Sequence, residues 1–446
     1  AKWAVVAVAV GVLGIGGVVF LQTRESSSRE LETLIQALRA SGQPVTLAEL
    51  DAFYDLGVDA ERAGKDLSTI LALISQPADA EHVLYVSADD LEVGAPIPQQ
   101  TLADSRRHLA ANRDILGRLH EILRDGLRVR YPVDLTLGAD APLDYLAPIR
   151  SGTRLLALEA TLAAIDGDTA KSTRSLTKAI ALADSLRDEP LLISQLVRVA
   201  CLGIASGAIE ESVNRSAFST SQIHELERAL SSLRLDGMIS RALVGDRTWG
   251  MADVMSIPAE GRPMLEFWIE SEQIDASTAA LFKRRGYYER ETVQLIHDYN
   301  ELITLGDIPP PDRVAAGERL EAAILGRTDD GNRLSKATMP MLVNALEVEI
   351  RASALVRVTV AGLAAMRYQK EASLNPTSLE SIVPDFLPAV PIDPFTGAAL
   401  RHRTIAGGFV VYSVGPDLDD DRGEPRPDGV SLLDDGDISF RMTSGN

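Results

Sequence analysis

Cysteine is nearly absent: Cys201 is alone in 446 residues. A single thiol excludes a disulfide framework and any cysteine-rich metal site within one chain. It stands in the apolar run SQLVRVACLGIASG, where a buried structural thiol is expected. Aromatics are also few, at 5 % of residues, while alanine and leucine are abundant, which favours helix over sheet. Basic charge is scarce as well. The net charge of −20 argues against a nucleic-acid partner. No G-x-S-x-G, P-loop or C-x-x-C occurs. The histidines (82, 108, 120, 224, 297 and 402) are scattered. His224-Glu225 opens like a zinc-protease helix, but Arg228 stands where the second histidine is needed. FSTSQIHE reads instead as a helix cap, with Ser219 or Ser221 capping.

Long apolar runs are confined to the start. Trp3 to Leu21 carries no charge, long enough to span the hydrocarbon layer. The following FLQTRESSS lacks a small-x-small cleavage site, so an uncleaved single-pass anchor in the bilayer is expected over residues 1–22. The glycines at 11, 14, 16 and 17 fit a helix-packing face.

Beyond the anchor the chain reads as mainly α. A helical region is expected over 23–140, with SSSRELETLIQALRASG as a helix stopped by Gly42 and Pro44. TLADSRRHLAANRDILGRLHEILRDG reads as one amphipathic helix, and YPVDLTLGADAP as a turn-rich connection near a boundary at 140. Residues 141–335 read as helical hairpins. GTRLLALEATLAAIDGDTAKSTRSLTKAIALADSL pairs two helices across Asp-Gly-Asp. Near 155–187 its order of small and large positions (Ala160, Ala163, Leu176, Ala179) resembles one degenerate tetratricopeptide unit. From Asp236 to Pro311 the pattern becomes irregular, with Trp249, Phe267, Trp268, Tyr287 and Tyr288 among glycines and prolines. GDIPPPDR reads as a stiff linker or turn.

Residues 340–446 read as a small α+β module. A long helix from Pro340 leads through a proline-punctuated descent to strands ALRHRT and GFVVYSV, then an acidic loop, then an edge strand DISFRM. Asp417 to Asp437 holds nine carboxylates against two arginines. Such density repels itself unless a cation neutralises it, and hard oxygens in a flexible loop suit calcium better than magnesium. Asp417, Asp419 and Asp421, with Asp428 at the twelfth position, follow the EF-hand ladder, but Arg422 takes the glycine's place and a strand precedes the loop.

Asp393-Pro394-Phe395 with Gly397, Tyr412-Ser413-Val414-Gly415 with Asp417, and Asp434-Asp435 leading into Asp437-Ile438 carry a resemblance. Together they resemble the globular part of the major pseudopilin of type II secretion systems. The resemblance implies a short antiparallel sheet and a calcium held by the Val414 carbonyl and the carboxylates of Asp417, Asp434 and Asp435. Ser413 is a weaker candidate; Asp419 and Asp421 are the weaker candidates from the ladder. Residues 23–339 have no counterpart, and Val5 stands where a processed pilin carries glutamate, which argues against polymerisation into a filament. The expectation is a non-enzymatic, single-pass protein of the bacterial inner membrane with its soluble part in the periplasm. Its partners would be other envelope or secretion-apparatus proteins, with self-association a further option. Two other classes stay open: an anchored hydrolase with its site around Trp249 to Tyr288, and a helical adaptor or chaperone for exported proteins.

Overall fold

In a computed structural model the described residues are 26–77, 83–84, 94–260, 287–328, 333–424 and 436–443. The expected anchor lies outside them. The protein is mainly helical, with one small three-stranded antiparallel sheet.

The first helix, α1, covers residues 26–40, and a turn leads to α2 (Leu47–Phe53), where the Thr46 hydroxyl accepts the Glu49 amide at 3.2 Å. After α3 (Val58–Leu71) comes a departure from the sequence pattern. The expected single helix is two, α4 (Gln99–Ala111) and α5 (Arg113–Ile122). Asn112 causes the break. Its side chain is buried and binds Ser75 from both ends, donating to the carbonyl at 3.1 Å and accepting the amide at 2.9 Å. The connection near 140 contains a 3-10 turn, Leu135–Asp140, whose Leu135 is fully buried.

The centre is the hairpin α6 (Leu146–Ile165) and α7 (Thr169–Asp184), joined by the Asp-Gly-Asp turn, with Asp168 capping the Lys171 amide at 2.9 Å. Both helices pack against α8 (Leu192–Arg215). By length and composition α8 could cross a membrane, yet 72 % of its apolar window is buried inside the protein, which makes it a core helix. Cys201 sits on it, fully buried, and burial raises its thiol to about 11. Ser219 caps α9 (Thr220–Ser231) in a capping box with Gln222.

Of residues 236–311, those described (236–260 and 287–311) are far more regular than the sequence implies. They form α10 (Met238–Glu260) and α11 (Tyr287–Leu305), and the triple proline starts α12 (Pro310–Leu325). The apparent breakers are packing residues. A β-carbon on Gly245 would lie 1.7 Å from the Pro190 carbonyl oxygen, and one on Gly250 would lie 3.1 Å from Leu295. Trp249 packs partly buried against the core; Phe267 and Trp268 lie outside the described residues.

The long helix α13 (Arg333–Ala372) packs against α8, α9, α11 and α12 and then against the sheet. Its start at Arg333 places residues 335–340, the expected boundary, inside one continuous helix. Strands β1 (Arg401–Ile405), β2 (Gly408–Ser413) and β3 (Ile438–Thr443) follow in spatial order 1-2-3. One apolar cluster runs from Leu31 through α6–α13 to Phe440, so helices and sheet share a core.

Candidate metal centre

The acidic segment is the long connection between two paired neighbours, β2 and β3. Their register sets Ser413 opposite Ile438, and so Val414 opposite Asp437. Gly415 and Gly436 come next, touching: a β-carbon on Gly415 would lie 2.1 Å from the Gly436 carbonyl oxygen. The two ends of the loop therefore meet.

The β2 end is fixed by Asp393, which is 1 % exposed. Its carboxylate accepts the Phe395 amide at 2.9 Å, the Ser413 hydroxyl at 2.9 Å and the Val414 amide at 3.1 Å. The Asp393 amide also donates to the Ala398 carbonyl at 2.7 Å, closing the Asp-Pro-Phe-Thr-Gly turn. Ser413 is thus committed to Asp393 and accepts the Gly415 amide at 3.4 Å, which is a fixing role for the weakest of the expected ligands. Val414 is fully buried.

Asp417 is half-buried and accepts the Asp419 amide at 3.2 Å; Asp419 and Asp421 are exposed. The chain winds through left-handed residues here, Leu418 at φ 62° and Arg422 at φ 61°. The arginine in the glycine position of the EF-hand ladder accordingly adopts the glycine-like backbone, at a cost of about 1 kcal/mol. Asp434, Asp435 and Asp428 lie outside the described residues.

Part of the charge is neutralised by strand arginines, a pairing that sequence reasoning missed. Arg401 pairs with Asp420, and Glu424 sits between Arg403 at 2.5 Å and Arg441 at 3.7 Å. These contacts hold Asp420 and Glu424 below the usual carboxylate range: for Asp420 the Arg422 amide, Tyr412 and Arg401 outweigh burial, and for Glu424 the Arg403 hydrogen bond leads.

Asp437 has no such partner among the described residues. It is 4 % exposed, and one carboxylate oxygen accepts the Gly423 amide at 2.5 Å. The other oxygen is buried and has no hydrogen-bond partner among the described residues. Burial, with the charges of Asp421 and Asp420 adding to it, outweighs the Gly423 and Asp421 amides and pushes the acid up to about 6. A carboxylate with an orphan oxygen among like charges is the chemistry that a hard cation satisfies. Among the described residues no three His, Cys, Asp or Glu side chains converge to hold a metal ion. No protein-family model, curated protein or solved structure matches the chain.

Proposed function

We propose that this is a non-enzymatic structural or interaction protein of the bacterial envelope, anchored by residues 3–21. In this reading it serves a type II secretion or pilus-like apparatus, and calcium stabilises its C-terminal module. The orphan oxygen of Asp437 carries the calcium reading, because it lies where the loop ends meet, two residues after Asp435. Asp434, Asp435, Asp417 and the Val414 carbonyl would hold the ion beside it. The structural reading is supported by how the buried ionic groups are used. Arg198 pairs with Asp184 at 2.7 Å, Arg313 with Glu349 at 2.7 Å, and Glu189 accepts hydroxyls from Tyr54, Tyr145 and Ser194. The two ion pairs join α7 to α8 and α12 to α13, and Glu189 ties the residues flanking α2 and α6 to α8.

The test is the melting temperature of the full chain in mild detergent with calcium, with magnesium and with chelator. Because helices and sheet share one core, the intact chain is the proper sample. A ligand binding only the folded state at a hundredfold excess over its Kd adds about 2.7 kcal/mol. A calcium-specific rise supports the metal site, and equal melting in all three conditions removes it. Cross-linking in membranes tests the partner reading separately: a strictly monomeric product would sink it.

A further inference from the structure

The last two turns of α8 lie along the outer edge of β3, the last strand of the sheet among the described residues. Residues of a strand point alternate amides to the same edge, so Arg441 and Thr443 present theirs together. Both are taken by side chains of α8. Glu210 accepts the Arg441 amide at 2.7 Å, and Asn214 accepts the Thr443 amide at 2.7 Å while donating to the Arg441 carbonyl at 2.9 Å. The Thr443 hydroxyl also donates to Asn214, at 3.1 Å. The spacing explains why a helix can do this. Four residues of helix rise about 6 Å and two residues of strand about 6.7 Å, so positions 210 and 214 meet 441 and 443 in step. The same turn is pinned from behind: Glu211 accepts the Gly94 amide at 3.2 Å, and Arg215 donates to the Ala95 carbonyl at 2.7 Å.

We infer that Glu210 and Asn214 form an edge guard, standing in for a fourth strand on β3 and keeping that edge from pairing with β3 of a second copy of the chain. An unguarded strand edge is a template for another strand. The strand itself is held independently of the guard, because its other edge is paired with β2 and Phe440, 1 % exposed, packs against Gly362 of α13. The inference is independent of calcium and of the envelope reading.

The test compares the full chain with the E210A/N214A variant in detergent, by light scattering over a range of concentrations and by amide exchange. In dilute variant the Arg441 and Thr443 amides should exchange roughly tenfold faster, the loss of one hydrogen bond each. At high concentration the variant should form dimers that the wild type does not, with these amides protected again. Adding T443P removes the outward amide and should abolish the extra dimer. N214A alone, which leaves Glu210 in place, frees Thr443 and gives the reading if the double variant loses β3. A variant that stays monomeric at every concentration, or whose dimer survives T443P, overturns the guard.

Discussion

Asp393 holds the Val414 amide at 3.1 Å from a turn twenty-one residues upstream in the fold's last segment. It is the staple that aims the end of β2 into the acidic loop. Replacing Asp393 with alanine leaves three buried donors, from Phe395, Ser413 and Val414, without an acceptor. Each unsatisfied buried group costs about 1–3 kcal/mol, so D393A should lose about 3 kcal/mol or more in chemical denaturation. D393N keeps an acceptor oxygen and should lose less. Equal midpoints for D393A and wild type would show that the turn is held by other contacts.

Asp437 allows a sharper prediction, because its two states have opposite consequences. Its acid is raised to about 6 in the fold, above the ordinary aspartate value, so the protonated form is the favoured one. Stability from this group is present at low pH and is lost as pH rises through about 6. In chelator, D437N should therefore melt above the wild type at pH 7.5 and match it near pH 4. With excess calcium the order should reverse, since the amide cannot neutralise the ion. An unchanged calcium response in D437N would remove Asp437 from the site.

Much of this architecture was legible because it is local. The hairpin α6–α7, the long α13 and the three strands follow from periodicity, turn residues and branched side chains, each visible within a short window. What escaped is tertiary. Asn112 breaks a helix through a bond to Ser75, and Gly245 and Gly250 look like breakers yet serve close packing inside α10. The loop's acidity was readable, but not that Arg401, Arg403 and Arg441 would face it from two strands. Nor does any window connect Asn214 with Thr443. Asp437 was within reach: it alone of the loop acids directly precedes the apolar strand residue Ile438, the position where a carboxylate must enter the core.

Glu159 predicts the acid limit of stability. It is buried in α6, yet hydrogen bonds from His120 at 2.6 Å and Ser175 at 2.8 Å, with Lys171 at 3.1 Å, outweigh the burial penalty. They hold the acid down to about 2. A depressed carboxylate stabilises above its unfolded pKa, and that contribution disappears as pH falls from about 4.5 to about 2. At roughly 1.4 kcal/mol per unit, the contribution at pH 7 is on the order of 3 kcal/mol. E159Q should show most of that loss at pH 7 and almost none near pH 2. Parallel stability curves for the two proteins across this range would refute the assignment.

Gly362 decides how the sheet sits on α13. A β-carbon there would fall 2.1 Å from the Phe440 ring and 2.5 Å from its attachment carbon. In a helix interior, alanine in place of glycine should gain about 1 kcal/mol. Phe440 cannot retreat to allow that gain, because β3 is paired with β2 on one side and held by Asn214 on the other. Overpacking of this kind costs about 1–3 kcal/mol, so G362A should be net destabilising despite the better helix former. F440A alone should lose about 3–5 kcal/mol through the cavity it leaves. In the double variant the new methyl enters that cavity, so its loss should be smaller than the sum of the two single losses, with a coupling of about 1 kcal/mol or more. A double-mutant cycle by denaturation measures this directly. Strict additivity would mean that Gly362 and Phe440 do not touch, and that the sheet is seated on α13 by other residues.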